Sequence, residues 1–424
     1  MSSERSRPGG GLTTSEVAEI LGVKRQTVYA YVSRGILHRQ MAIDGRTSIF
    51  DRTEVEELRL GRRPEQEGEM RTMLTTRLTR VSDDGLWIRG VDLIDLVNQG
   101  AGFTEVADLL WSSSGDESWP LTPSRQSVTE GGSTDGSGDG GGERGWVPAA
   151  DGRSGALTLL DQLRIIVAIE SSADALRHDL SPKSVRAAGR RAIVAMANGL
   201  GTAATPPPGS STSLGGVLWS RLSRKQPKAS QRRAVDVALA LLADHGLAAS
   251  TFAARVAASV KADPYSVISA GLGVFGGTLH GAASAEVHEL HLEAERRGDA
   301  ATVVGDRQRR GRVPGFGHMV YRSQDPRYGA LMAQIIDAWA DDQRLQTVFR
   351  VRDVVGERSD AIPNVDLALG ALTYLAGMPT DAGEALFAVS RTAGWLAHAI
   401  EEYEEKPLRF RPRARYIGDR PPGH

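Results

Sequence analysis

Three short segments set an ionisable side chain beside glycine or proline at what reads as the end of a helix: "GGTLHGAASAEVHEL", "PGFGHMVY" and "IPNVDLALGAL". In the first, His280 precedes a run in which Val287, Leu290 and Ala294 recur at helical spacing, so it lies near the positive end of a helix. That position disfavours imidazolium. A neutral ring there can donate a hydrogen bond to a carbonyl that is gaining negative charge. In the second, Gly315 and Gly317 let the backbone turn sharply and bring His318 close to a ligand. In the third, Asp366 follows Pro363 and Asn364 at the start of an apolar helical run, where a carboxylate screened from water can act as a base.

Arginines complete the set. Asp325 as cap and Pro326 as first helical residue put Arg327 in the first turn, where its guanidinium and free backbone N–H groups converge on a carboxylate pocket. Arg391 lies inside the apolar helix "FAVSRTAGWLAH"; burying it unpaired would be expensive, so an anion or an acidic residue should meet it. Arg411 is one of several cations in "RFRPRARYIG", a segment without clear secondary structure. His288, His291 and His398 read as ordinary surface or core residues of helices, and no metal site is expected, although His288 and His291 stand at i, i+3.

These residues need a scaffold, and from residue 72 onward the periodicity is helical, with strand-like alternation almost missing. The fold class expected for this main body is all-α. Two stretches break the pattern, 112–150 and 198–216. The first is so poor in large apolar residues that it cannot offset chain entropy and reads as an exposed, disordered loop. Residues 12–63 read separately as helix, tight turn, helix, wing, helix. Thr14 or Ser15 caps the first helix, Gly22 ends it, and a second helix carries Val28 and Val32 inward, with Lys24, Arg25, Gln26 and Tyr29 on other faces. Asp44-Gly45 marks a hairpin, and Asp51 caps a third helix through Leu58.

Composition narrows the chemistry. The 424 residues include no cysteine, which excludes disulfides, thiolate catalysis and zinc-thiolate sites and fits a reducing cytoplasm. A formal charge of -1 excludes a uniform basic field, so any nucleic-acid contact must come from a local patch. The first residues, "MSSERSRPGGG", are polar, and no run approaches the roughly 20 apolar residues of a membrane-spanning helix, so a cytoplasmic protein with no membrane partner is expected.

From about Leu86 to Gly418 the chain resembles citrate synthase: "LWIRGVDLIDLV", "DHGLAAST", "GGTLHG", "PGFGHMVYRSQDPR", "PNVD", "SRTAGWLAH" and "RPRARYIG" stand in that family's order. The resemblance implies a helical homodimer whose large and small domains close over the substrates. It implies a large domain over 64–280, which contains the 112–150 insertion, a small domain over 281–371, and the rest of the large domain over 372–424. By motif, Asp366 would remove a methyl proton from acetyl-CoA, His280 would hydrogen-bond the thioester oxygen, and His318 would polarise the keto group of oxaloacetate. His245, Arg327, Arg391 and Arg411 would hold oxaloacetate, Arg411 reaching in from the partner subunit. Acyl-CoA is then a substrate, and no cofactor is implied. Three departures bear on binding strength and on acyl or keto-acid preference: Ala248 stands where the family usually has Asn, Ser284 closes "GAAS" where it usually has Gly-Gly-Ala-Asn, and Met319 replaces a common basic or proline residue after the motif histidine.

Residues 1–63 resemble the winged helix-turn-helix of the excisionase and mercury-regulator class. That resemblance puts Lys24, Arg25, Gln26 and Tyr29 toward DNA in the major groove and Arg46 on the wing. Nine Lys or Arg against seven Asp or Glu between residues 12 and 63 make any such affinity modest. The expectation is a citrate or 2-methylcitrate synthase bearing a DNA-binding module. The alternative is a transcription regulator that uses the synthase body as a dimerising sensor of acyl-CoA or keto acid.

Overall fold

The computed structural model describes residues 12–33, 37, 39–41, 47–59, 74–113, 117–121, 157–201, 213–277, 281–410 and 412. The chain divides into two compact units, Met1–Thr75 and Thr76–His424.

In the first unit, β1 (Leu12–Thr13), α1 (Thr14–Leu21), α2 (Arg25–Ser33), β2 (Arg39–Met41), β3 (Ser48–Phe50) and α3 (Arg52–Arg59) follow in order. The strands pair antiparallel in the order β1-β3-β2, and Leu12 meets Phe50. A small core of Leu12, Val17, Val28, Leu37, Phe50 and Val55 holds the helices to the sheet. The cap of α1 is Thr13 rather than Thr14 or Ser15, because Glu16 sits at the third helical position and completes a capping box with it. Gly22 ends α1 with φ +65°. The hairpin expected at Asp44-Gly45 and the wing residue Arg46 lie outside the described residues.

The second unit is mostly helical, as expected, and opens with a short sheet. Strands β4 (Thr79–Ser82), β5 (Gly85–Ile88) and β6 (Val91–Asp92) form an antiparallel sheet, Arg80 opposite Trp87 and Trp87 opposite Asp92. Each strand is too short to show period-two alternation against the helical spacing that follows, yet Leu86 and Ile88 are buried in the main core. The helices are α4 (Leu93–Asn98), α5 (Phe103–Leu110), α6 (Leu159–Ala173), α7 (Pro182–Gly199), α8 (Leu214–Leu222), α9 (Ala229–Leu242), α10 (Ala249–Ser259), α11 (Pro264–Phe275), α12 (Ala283–Arg297), α13 (Ala300–Arg310), α14 (Pro326–Ala338), α15 (Arg344–Gly356), α16 (Val365–Ala376) and α17 (Ala382–Tyr403).

Two apolar clusters organise them. The larger joins the sheet and α4–α11 with α14, α16, α17 and the start of α15; the smaller includes Val287, Leu290, Val303, Val304, Phe316, Val351, Val355 and Leu367. Helix α17 is apolar on nearly every face and runs through the large core against α7, α9, α10 and α11. Part of the stretch expected to be disordered is packed instead. Trp119 stacks on Trp111 with ring centroids 5.7 Å apart, and buried Arg190 bonds Glu117 and, at 2.6 Å, Asp108. Trp119, held on Trp111 just before the stretch, supplies apolar area that composition averaged over 112–150 conceals. The rest of that insertion, 114–116 and 122–150, lies outside the described residues. Among the described residues, no helix is long and apolar enough to cross a membrane.

Candidate functional site

Two helix starts and one glycine turn meet at the site. Asp325 caps α14, accepting the Arg327 N–H at 3.0 Å, and Pro326 occupies the first helical position, as the sequence indicates. The same carboxylate takes Arg327 Nε at 3.0 Å and Nη2 at 2.9 Å, and its Oδ2 also accepts the Val365 N–H at 3.0 Å. Asp325 thus ties the start of α14 to the start of α16, and both it and Arg327 are buried. Helix α16 is capped by Asn364, whose Oδ1 accepts the Asp366 N–H at 3.0 Å.

The His318 turn is fastened to that cap. Gly315 and Gly317 have φ of +82° and +83°, conformations that suit glycine. A Cβ at Gly315 would stand 2.9 Å from Leu367 Cβ and from Val287 Cγ2, so the turn also needs a residue without a side chain. Gly317 N–H donates to the Ile362 carbonyl at 2.7 Å, Asn364 N–H to the Gly315 carbonyl at 2.9 Å, and Asn364 Nδ2 to the Gly317 carbonyl at 2.8 Å. His318 Nδ1 accepts the Val320 and Tyr321 N–H groups at 3.0 and 3.1 Å. Two backbone donors on Nδ1 assign the neutral ring's proton to Nε2; Arg327 Nη2, 3.4 Å from it, also only donates, so the two are neighbouring donors rather than bonded to each other.

Three aromatic rings cluster beside this turn. Tyr321 lies 4.5 Å from the His318 ring centroid, and its hydroxyl is 3.1 Å from His245 Nε2. His245 meets His318 edge-on with centroids 5.3 Å apart. Burial and the charge of Arg327 lower the pKa of His318. Burial, then Arg327, Arg391 and His318, hold His245 well below the ordinary histidine value. Both rings are therefore neutral near pH 7 and serve as hydrogen-bonding groups rather than cations.

Asp366 is shifted the other way. Burial pushes its carboxyl up to about 6, against the pull of Arg327, with Asp325 adding to the rise and Arg391 opposing it. A carboxylate with that value is a base poised near neutral pH. Arg391 is buried on α17 and lies over the Phe387 ring at 4.7 Å. The acidic partner expected for it from sequence is not in direct contact. Its Nε donates to the Leu242 carbonyl at 2.8 Å, and Nη2 has no hydrogen-bond partner among the described residues. Burial lowers its pKa to about 10, with Asp244 and Asp366 compensating from a distance. A helix-end carbonyl satisfies one face of the guanidinium and leaves the other for an anion.

His245, His318, Arg327, Asp366 and Arg391 therefore come together, while His280 and Arg411 lie outside the described residues. Ala248 caps α10 with no side-chain acceptor, and Ser284 is fully buried with its Oγ against Gly383 of α17. His288, His291 and His398 are core residues, and the described residues contain no cluster of metal-ligating side chains. Residue spacing did not single out Tyr321 or the clamping role of Asn364; an asparagine directly before an apolar helix was the available signal for the second. In the first unit, Lys24, Arg25, Gln26 and Tyr29 are all exposed on or beside α2, and Arg25 bonds Ser15 of α1.

A family model described as citrate synthase, C-terminal domain, matches residues 69–413, and one described as helix-turn-helix domain matches 12–63. A citrate synthase of Haloferax volcanii is 39% identical over 204 residues, which cover 47% of this chain and 54% of that protein. A 2-methylcitrate synthase of Shewanella oneidensis is 32% identical over 212 residues, covering 49% and 56%. The chain spans about half the length of the curated relatives it matches. The structure of citrate synthase from Thermoplasma acidophilum, a ternary complex with carboxymethyl coenzyme A and oxaloacetate, superposes with a TM-score of 0.59 at 24% identity, covering 83% of this chain and 96% of that one. At that identity the likeness is one of fold.

Proposed function

The chain belongs to the citrate synthase family, and from that premise we propose that it condenses acetyl-CoA or propionyl-CoA with oxaloacetate, giving citrate or 2-methylcitrate and CoA. The observation that carries the reading is the gathering of one raised-pKa carboxylate, Asp366, with a neutral Nε2-protonated His318 and the two guanidiniums Arg327 and Arg391. Asp366 takes a proton from the acyl carbon next to the thioester, a methyl in acetyl-CoA and a methylene in propionyl-CoA, and the resulting enol attacks the keto carbon. His318 Nε2–H is directed toward the same side as Arg327, so it polarises and then protonates the keto oxygen. Arg327 and Arg391 neutralise the dianion, with His245 as a neutral donor beside them. His280 is assigned the enol oxygen and Arg411 of a partner subunit the remaining carboxylate contact. Hydrolysis of the citryl thioester completes the reaction. The names of the relatives support turnover over a sensor without it.

We place the enzyme in the cytoplasm as a homodimer. Support for the dimer is an exposed strip on α6 and α11, which pack side by side and leave Ile169, Val274, Ser266, Ser269 and Gly273 uncovered. The helix-turn-helix unit binds DNA through Lys24, Arg25, Gln26 and Tyr29, with Arg46 on the wing. Purified protein given oxaloacetate and acetyl-CoA or propionyl-CoA should release free thiol, and Asp366→Ala should stop it; no release with either acyl-CoA overturns the enzymatic reading. Retarded migration of duplex DNA, lost in Arg25→Ala and weakened by salt, is the result expected of the first unit.

A further inference from the structure

Behind the substrate-facing groups lies a line of buried ionisable side chains that the proposed chemistry does not use. Asp244 is fully buried at the end of α9, directly before His245. Its Oδ2 accepts the Thr79 hydroxyl at 2.5 Å and the Gly246 N–H at 3.1 Å, the second closing a turn around His245. His398 Nε2 is 3.5 Å from the same oxygen. The other ring nitrogen of His398, Nδ1, is 3.0 Å from Arg255 Nη1. A guanidinium only donates, so Nδ1 accepts and Nε2 carries a proton; Nε2 lies beside Asp244 Oδ2 at 3.5 Å, a contact longer than a hydrogen bond.

Arg255 is fully buried in turn and is held from the far side by Glu402 at 2.9 Å and Glu401 at 2.7 Å; Arg409 shares Glu402 at 2.6 and 2.5 Å. With Arg391 at the near end, three guanidiniums (Arg391, Arg255, Arg409) stand along three carboxylates (Asp244, Glu401, Glu402), the partly exposed Glu401 and Arg409 closing the far end. The backbone is built for this approach. Arg391, Gly394 and His398 share one face of α17, and a Cβ on Gly394 would stand 2.5 Å from Asp244 Oδ1 and 2.4 Å from the Ala243 carbonyl. The missing side chain lets Asp244 enter between Arg391 and His398.

We propose that His398 and Asp244 are positioning residues for keto-acid binding: His398 Nε2–H orients the Asp244 carboxylate, and that carboxylate holds the turn presenting His245 and compensates Arg391. The proposal rests on the citrate synthase reading for the identity of the ligand. Neither residue touches substrate, so the effect appears in affinity for the dianion rather than in the proton-transfer steps.

The test uses full-length protein, steady-state thiol release, oxaloacetate calorimetry and thermal melting. His398→Leu should raise the KM for oxaloacetate about tenfold or more while kcat stays within about threefold and the KM for acyl-CoA is unmoved. His398→Gln, whose amide offers an N–H to Asp244 and an oxygen to Arg255, should restore most of the affinity. The double variant His398→Leu with Asp244→Ala should bind no worse than Asp244→Ala alone, because one residue acts through the other. Thr79→Val removes a second donor from the same carboxylate and should weaken oxaloacetate binding by about threefold, which keeps the test open should His398→Leu fail to fold. Unchanged oxaloacetate affinity in a folded His398→Leu or in Thr79→Val, or equal losses for both substrates, overturns the proposal. Wild-type protein that neither turns over nor binds oxaloacetate overturns the parent reading instead, a result visible before any variant is made.

Discussion

Asn364 Nδ2 donates to the Gly317 carbonyl at 2.8 Å while Asn364 Oδ1 accepts the Asp366 N–H at 3.0 Å. One amide therefore sets the spacing between the turn that carries His318 and the helix start that carries Asp366. Replacing it by alanine removes both bonds. Asn364→Ala should lose about 1 kcal/mol of stability with the cap and about tenfold or more in kcat with the geometry. Asn364→Ser, a good cap too short to reach Gly317, should regain most of the melting temperature and little of the rate. A serine variant with wild-type kcat would remove the clamp from the argument.

The raised pKa of Asp366 fixes the direction of the pH profile. A base must be ionised, so kcat/KM should rise with pH through about 6. The stability term has the opposite sense. The folded protein holds this proton more tightly than the unfolded chain does, so its contribution is complete below 3.8 and is lost as pH rises through about 6. Asp366→Asn should therefore abolish turnover yet melt higher than wild type at pH 8, the difference shrinking toward pH 4. A variant that melts lower at pH 8 contradicts this account.

His288 and His291 give the fold an acid limit. Both are buried between α12 and α16; His288 Nδ1 meets Thr373 Oγ1 at 2.9 Å, and neither ring nitrogen of His291 has a hydrogen-bond partner among the described residues. Burial lowers them to about 4 and about 3. With folded values below the unfolded 6.5, the neutral forms cost nothing above pH 6.5, and stability is lost as pH falls from there toward the folded values. At pH 5 the loss is set by the unfolded value, roughly 2 kcal/mol for each ring. Denaturant unfolding at pH 7.5 and pH 5 should show that His291→Leu removes about half of the combined effect.

Gly315 is a second point of failure. Alanine there would have to hold φ near +82° with its Cβ 2.9 Å from both Leu367 and Val287. Gly315→Ala should cost on the order of 1–3 kcal/mol in chemical denaturation and reduce kcat by shifting His318. Wild-type values of both would show that the turn relaxes freely.

Sequence alone determined the local elements of this protein and the kinds of group that react. Asp325, Pro326 and Arg327 specify their helix start because a cap, a fixed φ and a first-turn cation are decided within three residues. The glycines around His318 and the Asn364 cap before Asp366 are local in the same sense, and the helices of the body follow from their period. The tertiary structure decided what depends on distant partners. The short sheet at 79–92 exists because Leu86 and Ile88 find a core on other helices, and Glu117 is ordered because Arg190 stands opposite it. The raised pKa of Asp366 comes from its burial in the folded protein, with Asp325 adding to it against the pull of Arg327 and Arg391, and the roles of Tyr321, Asp244 and His398 rest on contacts across 76 to 154 positions of chain. Pairing and burial are sums over neighbours in space, and one-dimensional spacing carries no term for them.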